Sequence, residues 1–282
     1  MTRGKHVTGL VLVLFVATAA LATGEIRRDL HFKVGKHAMI SITNQYGRIS
    51  VKAGPPQQVL VTAILRSEKV EIDQSQSGNR IDLVSHLLQG SDENAGFVEY
   101  QVQVPPNASL TLRSGHGSIH AEKLHGDLAV EGAEAKTEIV DCGDGHVHVR
   151  TLNGSVILNN IRNGHVEVSS LGGDVVMNGV DGPYLQVDSN SGKIEYIGDF
   201  GNGGVYSFTS HSGNIDAMAP AYASIDVEAR STQGPVESDF SLDPKHAPFF
   251  VRGANSFSGT LNKAASSVKL FSLSGKIHLK KR

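Results

Sequence analysis

Three acidic residues at equal intervals are the part of this sequence that could do metal chemistry. Glu195, Asp216 and Glu237 lie 21 residues apart, and each stands three residues after a glycine. If neighbouring β-strands bring them about 4.8 Å apart, a divalent cation would relieve their repulsion. Calcium needs about six to eight oxygen ligands, however, and no neighbouring loop is rich in them. We therefore expect a solvated ladder of charges, shared with nearby Lys193, and no metal site.

Histidines form a second candidate group. His146 and His165 each stand eight residues before a glycine, and the same spacing places His148 beside Glu167. Two imidazoles and a carboxylate can hold zinc, and stacked imidazoles alone can form a pH-sensitive surface. Because the chain contains 13 histidines, such neighbours are expected by chance, and we predict no metal from them.

No convergent catalytic set is present. The fragment Gly115-His116-Gly117 matches one motif of the polygalacturonases, but the Asn-Thr-Asp, Asp-Asp and Arg-Ile-Lys motifs that accompany it there are absent, so His116 is interpreted as a polar corner residue. Cys142 is the one thiol of the chain, which excludes an intramolecular disulfide. We expect it to be a buried or corner side chain.

The element that must position all these residues is a repeat of about 20 residues. Its clearest copy, residues 184–197, has alternating apolar residues, then Ser-x-x-Gly, then alternating apolar residues again. Such a pattern predicts two half-buried strands joined by a polar corner. The predicted corners are Asn44/Gly47, Ser114/Gly117, Thr151/Gly154, Ser170/Gly173, Ser189/Gly192, Ser210/Gly213, Ser231/Gly234, Ser256/Gly259 and Ser272/Gly275, and residues 132–140 leave room for a degenerate copy.

The corner hydroxyls and amides are better explained by structure than by nucleophilic chemistry. A short polar side chain can accept a hydrogen bond from the backbone N–H two residues on, where the chain leaves the sheet. Nothing in the sequence distinguishes one corner serine from the others. We expect none of them to be catalytic.

Stacked repeats would form one continuous core, which no single repeat could enclose. We predict an all-β fold: a parallel β-helix or β-roll-like solenoid of about 20-residue coils, with about nine coils between residues 110 and 279. Ile194 should point inward and Lys193 outward. Ile194→Asp should therefore prevent folding of the central coils, whereas Lys193→Asp should cost within about 0.5 kcal/mol.

Three segments are predicted along the chain. Residues 1–24 have a basic start, an apolar run and the small residues Ala20-Leu21-Ala22, which is typical of a cleaved secretory signal, although an uncleaved anchor stays open. Residues 25–109 are predicted to form an N-terminal β-cap, and residues 110–282 the β-solenoid. The terminal Lys280-Lys281-Arg282 would protect an open strand edge. A net charge of −2 without a basic stripe argues against nucleic-acid binding.

The order of these motifs resembles a known family. A signal, a strand ending in Gly47-x-Ile49-x-Val51, the strand Tyr100-x-Val102-x-Val104-Pro105 and tandem Ser-x-x-Gly-x-Ile/Val-x-Val repeats are similar to the bacterial β-strand-repeat domain family known as putative adhesin. The resemblance covers about residues 30–279. It implies a solenoid in a secreted or cell-envelope protein, and it carries over no catalytic residue.

Two functions from different classes remain. The first is a non-catalytic exported scaffold or adhesin-like protein of the periplasm, cell surface or exterior, which binds an envelope polysaccharide or protein partner. The alternative is a polysaccharide lyase or hydrolase on a β-helix, which would need clustered carboxylates on one outward face. Because the outward positions vary from coil to coil, we favour the binding protein, without cofactor. Of the tyrosines that could stack on a sugar, Tyr196 and Tyr206 are predicted to face inward, which leaves Tyr184 and Tyr222.

Overall fold

The computed structural model describes residues 25–243 and 255–282. The predicted signal segment, residues 1–24, lies outside the described residues. The strands are β1 (Ile26–Lys33), β2 (Met39–Ala53), β3 (Gln58–Leu65), β4 (Val70–Ser77), β5 (Arg80–Leu87), β6 (Val98–Val104), β7 (Ser109–Glu122), β8 (Leu128–Gly132), β9 (Lys136–Val140), β10 (His146–Thr151) and β11 (Val156–Asn159). They continue with β12 (His165–Ser170), β13 (Val175–Asn178), β14 (Tyr184–Ser189), β15 (Ile194–Ile197), β16 (Val205–Ser210), β17 (Ile215–Ala219), β18 (Ile225–Ser231), β19 (Val236–Ser238), β20 (Ser256–Leu261), β21 (Ser266–Ser272) and β22 (Ile277–Lys281). One short 3-10 helix, Glu93–Gly96, lies before β6.

The strands form two ladders that meet at the Ser-x-x-Gly corners. The strands before the corners form the front sheet, in the order β4, β5, β2, β7, β8, β10, β12, β14, β16, β21, β18, β20. The strands after the corners form the back sheet, in the order β1, β3, β6, β2, β7, β9, β11, β13, β15, β17, β22, β19. The long strands β2 and β7 run through both sheets. The predicted all-β solenoid is thereby confirmed.

The register within the stack follows the repeat. Ser189 pairs with Ser170 on one side and with Ser210 on the other, so these three predicted corners lie directly above one another. Ile194 is fully buried and Lys193 is partly exposed, which confirms their predicted directions. Alternate residues of every coil therefore contribute to one continuous core.

The coils do not stack in chain order at either end. The last coil, β21 and β22, lies between the coil of β16 and β17 and the coil of β18 and β19. At the other end, β2 lies between β7 and the pair β5 and β6, although it precedes both in the chain. The repeat pattern defines what one coil looks like, but it carries no information about which coil is its neighbour.

One predicted corner is wrong. Ser256 and Gly259 both lie within β20, which runs antiparallel to β18 and forms the end of the front sheet. The described residues after 108 therefore contain eight coils rather than nine, namely 109–122, 128–140, 146–159, 165–178, 184–197, 205–219, 225–238 and 266–281. The degenerate copy is present as β8 and β9, with Gly132 in the hydroxyl position and Ala135 in the glycine position.

The turn on the far side of each coil completes the core. Leu124, Cys142, Ile161, Val180 and Phe200 are buried there in successive coils. Cys142 is thus a buried packing residue, as expected, and burial raises the pKa of its thiol. These turns require left-handed backbone, which Asp141 and Asn160 adopt with φ of 53° and 54°. Asn and Asp tolerate this region better than most residues.

Candidate functional site

The corners of the solenoid have a fixed internal geometry. Ser170 and Ser189 donate a hydrogen bond from Oγ to the carbonyl of the glycine three residues on, at 2.6 and 2.8 Å. Thr151 and Ser231 accept a hydrogen bond from the N–H of that glycine, at 3.0 and 2.9 Å. These four hydroxyls therefore bond three residues on, rather than two as the sequence suggested, and they serve as the structural links that we predicted.

The corner glycines allow adjacent coils to approach closely. A Cβ atom added to Gly173 would lie 2.0 Å from the carbonyl oxygen of Gly154, and one added to Gly192 would lie 2.1 Å from that of Gly173. Such distances are far inside van der Waals contact. A larger residue would push the coils apart at this edge.

Small, buried corner residues leave an open channel on the surface above them, which we call the corner groove. It follows the solenoid axis through eight coils, from residue 43 to residue 273, and it encloses about 990 Å³. At about 4.8 Å per coil it is roughly 34 Å long. One wall is formed by Thr43, Arg113, Glu131, Arg150, Ser169, Asp188, Thr209 and Phe271, and the other by Gln45, Gly115, Ala133, Leu152, Leu171, Asn190, His211 and Leu273.

The middle of the corner groove exposes apolar side chains. Leu152 and Leu171 are 51% and 54% exposed, and they lie on adjacent coils. Phe271 is 40% exposed farther along the opposite wall. Fully burying a leucine is favourable by about 1.5–3 kcal/mol, so two stacked leucines that remain in water form a surface that a partner could cover.

The charged groups of the groove are unevenly paired. Arg113 binds Glu131 at 2.9 Å, and its hydrogen bond lowers the pKa of that carboxyl. Arg150, in the next coil, makes no ion pair with any residue that the structure describes. The Oγ atoms of Ser114 and Ser210, in the floor, are buried and have no partner among the described residues.

The predicted acidic ladder lies on the back sheet and differs from the prediction in one respect. Glu195 and Asp216 are neighbours, but His278 of the last coil separates Asp216 from Glu237. The insertion of this coil, which the sequence pattern could not reveal, is the cause. The three carboxylates are therefore not consecutive.

Lysines neutralise this ladder, as we expected for Lys193. Lys193 Nζ lies 2.7 Å from Glu195 and 3.0 Å from Asp216, and Lys280 Nζ lies 3.0 Å from Asp216. Lys276 Nζ lies 2.7 Å from Glu237. Burial opposes ionisation of Asp216, but the hydrogen bonds from the two lysines outweigh it, and the pKa of Asp216 is lowered.

The predicted histidine cluster does come together on the front sheet. The rings of His146 and His165 are 4.9 Å apart, and Tyr184 continues the stack at 4.5 Å from His165. Glu167 lies between His148 and His165, at 3.2 and 3.3 Å. The cluster forms its own contacts, and the described residues contain no group of three ligands placed to hold a metal ion.

The remaining candidates also have structural partners. His116 stacks on Tyr46 at 5.6 Å, and its Nδ1 lies 3.2 Å from Glu134, at a corner as predicted. Tyr196 and Tyr206 are fully buried and pack with Phe200. Desolvation raises the pKa of Tyr206 to about 12. Tyr222 is 69% exposed in a turn.

Leu152 and Leu171 were missed because the sequence analysis concentrated on polar residues and on the inward columns. A signal was present, since both leucines directly follow a corner hydroxyl in consecutive repeats, at a position where Gln45, Asn190 and His211 are polar. In the part of the chain that the structure describes, no helix is long and apolar enough to cross a membrane.

The fold and its groove define a β-solenoid with an open, elongated surface channel. A family model described as Toastrack DUF4097 matches residues 37–280. The chain therefore belongs to this family, and the resemblance inferred from the motifs is confirmed. A comparison with curated proteins found no match.

Solved structures share the architecture at low sequence identity. A putative lipid binding protein from Parabacteroides distasonis is 9% identical, with a TM-score of 0.52 over 91% of this chain and 96% of the other. A putative adhesin from the same species is 10% identical, with a TM-score of 0.36 over 92% and 98% of the two chains. A putative cell adhesion protein from Clostridium sporogenes is 14% identical, with a TM-score of 0.29 over 91% and 100%. The first of these supports the fold and nothing beyond it.

Proposed function

We propose that the protein is a non-catalytic, exported binding protein of the cell envelope that holds an elongated protein partner in the corner groove. The observation that carries this proposal is the pair of exposed leucines, Leu152 and Leu171, in the middle of a channel about 34 Å long. An extended surface of this kind gains affinity from many weak contacts over several coils. The secretory signal predicted for residues 1–24 supports the location.

The chemistry of the groove favours a peptide over a glycan. Stacked leucines match apolar side chains, and Arg150 next to them is available to a carboxylate or a backbone carbonyl of the partner. The two adjacent leucines cannot form hydrogen bonds with the hydroxyl groups that cover most of a glycan. All strands that flank the groove are already paired on both sides, so the partner would bind through side chains rather than as an added strand.

The ladder on the back sheet supports the absence of catalysis. An acid/base mechanism needs two titratable groups in opposed environments. Glu195 and Asp216 instead share the ammonium group of Lys193, so their environments are alike rather than opposed. Both carboxylates therefore bond the same cation, and Asp216, which also bonds Lys280, has a lowered pKa.

Retention on envelope fractions tests the proposal. Leu152→Ser/Leu171→Ser should abolish retention of the mature protein, and Arg150→Gln should weaken it. The matched control is Ile157→Ser/Val176→Ser, which removes apolar side chains from the same two coils on the opposite sheet. Equal loss in both double variants would contradict the groove as the binding surface.

A protease treatment of the fractions separates the classes of partner. Loss of retention after proteolysis supports a protein, whereas loss only after polysaccharide digestion would replace it with a glycan. Turnover of envelope or extracellular polysaccharides, with or without calcium, that disappears in Glu195→Gln or Asp216→Asn would overturn the non-catalytic assignment.

A further inference from the structure

A second, smaller depression lies on the back sheet near its N-terminal end, away from the corner groove. Four adjacent strands, β3, β6, β2 and β7, form its base. It encloses about 370 Å³, near the lower limit of about 300–1,000 Å³ for small-molecule sites. We call it the Ser50 pit, because Ser50 lies at its centre.

The sheet register explains why a depression forms here. Ser50 pairs with Gln101 on one side and with His120 on the other. Arg48 and Lys52 are two residues away along the same strand, so their side chains leave the same face. One short side chain is thus surrounded by four long ones, and the space above it stays open.

The charges around the pit sum to zero, but the cationic and anionic side chains do not form ion pairs with one another. Arg48 and Lys52 are cationic, and Glu99 and Glu122 are anionic. Glu99 accepts a hydrogen bond from Gln101 at 3.0 Å, and Glu122 lies 3.7 Å from His120 Nε2. Within the described residues, neither Arg48 nor Lys52 makes an ion pair.

The lack of ion pairs to Arg48 and Lys52 distinguishes the pit from the ladder farther along the same sheet. There each carboxylate of the pair Glu195 and Asp216 is bonded to a lysine, so little hydrogen-bonding capacity remains. In the pit, Arg48 and Lys52 are exposed, and neither they nor the side-chain amide of Gln103 has a partner among the residues that the structure describes. The Nδ1 atom of His120 is buried and lies 3.5 Å from Glu138, outside the pit, so it offers nothing to a ligand there.

We propose that the Ser50 pit binds a single neutral sugar unit of a glycan. A hydroxyl group both donates and accepts, and it is therefore matched by a lining that offers charged donors and charged acceptors in equal number together with amides. With Arg48 and Lys52 balanced by Glu99 and Glu122, the four formal charges sum to zero and favour neither an anion nor a cation. Leu60, at the edge, provides an apolar contact for the C–H face of the ring. The proposal does not depend on the corner groove.

The expected affinity is millimolar, since the pit offers no aromatic ring and buries one side of the ligand only. We would titrate the isotope-labelled mature protein with the methyl glycosides of glucose, galactose and N-acetylglucosamine, and follow amide shifts by NMR. Glucuronate and inorganic phosphate serve as anionic comparators. At least one neutral glycoside should shift amides of residues 48–52, 99–103 and 118–122, and more tightly than either anion.

Ser50→Leu should fill the pit and weaken binding by about tenfold or more, a loss of about 1.4 kcal/mol. Ser41→Leu is the matched control, because it places the same side chain on the same strand but on the front sheet. Gln101→Ala gives a second test if Ser50→Leu does not fold. Leu152→Ser/Leu171→Ser should leave sugar binding unchanged.

Several results would overturn the proposal. They are the absence of shifts with all three neutral glycosides, tighter binding of glucuronate or phosphate, shifts outside the pit, or equal effects of Ser50→Leu and Ser41→Leu. Loss of envelope retention with intact sugar binding would affect the proposed function of the groove alone.

Discussion

The corner groove differs from the charged ladder of the back sheet in two ways. The ladder is easy to find in the sequence but has few groups free to bind a ligand, whereas the groove is hard to find but has more. The ladder contains the residues that first suggest a site, yet Lys193 and Lys280 already bind its central carboxylate. The groove has no catalytic motif, but Leu152 and Leu171 remain half exposed in it. Charged groups that already pair within the protein have little hydrogen-bonding capacity left for a ligand. Exposed apolar side chains, in contrast, can still be buried by a partner.

Both surfaces lie over the same hydrophobic core. A charged substitution in that core should have the largest effect on stability. Ile194→Asp places a carboxylate among fully buried side chains. We expect a loss of about 4 kcal/mol or more in the free energy of unfolding, because an unpaired ion is not hydrated there. Urea denaturation measures it, and a loss below about 1 kcal/mol would show that the core register is wrong.

A substitution at a corner glycine should have the second-largest effect on stability, and it tests the close approach of the coils under the groove. Gly173→Ala brings a Cβ to 2.0 Å from the Gly154 carbonyl, and we expect a cost of about 1–3 kcal/mol. Gly172→Ala is the matched control, because its Cβ would meet the amide of Asn153, which can rotate away. Thermal melts of both variants should differ clearly, and equal melting temperatures would contradict the close approach of the coils.

In the ladder, the structure changes the sequence-based expectation for Lys193→Asp. Lys193 bonds both Glu195 and Asp216. The variant would therefore place a third carboxylate beside Glu195, which loses its lysine, and Asp216, which keeps only Lys280. We expect a loss of about 1 kcal/mol, moderate because the pair is partly exposed to solvent. Lys193→Gln should cost less, since it removes the cation without adding an anion. Identical urea midpoints for wild type and Lys193→Asp would indicate that the ladder contributes nothing.

The smallest expected effect is the pH dependence of the stability that the ladder contributes. The folded-state pKa of Asp216 lies below its usual value of about 3.9. Its contribution to stability is therefore fully present above about pH 4 and is lost as the pH falls through the lower, folded-state pKa. Urea melts between neutral and acidic pH should show this loss in the wild type and a smaller one in Asp216→Asn. The same loss in both proteins would assign the acid sensitivity to other carboxylates.

The sequence predicted the parts of the fold that depend on residues within one coil. Ser189 and Gly192 mark a corner because a hydroxyl and a residue without Cβ are needed there, and Ile194 faces inward because apolar residues alternate around it. It failed for Ser256 and Gly259, which fit the same pattern within an antiparallel strand. The pattern describes local alternation, and the choice of partner strand depends on the whole chain.

The candidate site was harder to predict for the same reason. The position of Asp216 next to His278 follows from the insertion of the last coil, which depends on long-range pairing. The corner groove arises between two columns of side chains, and neither column is unusual by itself. Only stacking brings Leu152 and Leu171 together and separates Glu237 from Asp216.

In-cell photocrosslinking tests the central claim, that the corner groove is the surface that binds a partner. A photoreactive phenylalanine analogue would be placed at Leu171 and, as a control in the same coil, at Val176 on the back sheet. The account predicts a discrete protease-sensitive adduct from position 171, reduced by Arg150→Gln, and none from position 176. Adducts from position 176 alone, or equally from both positions, would contradict it.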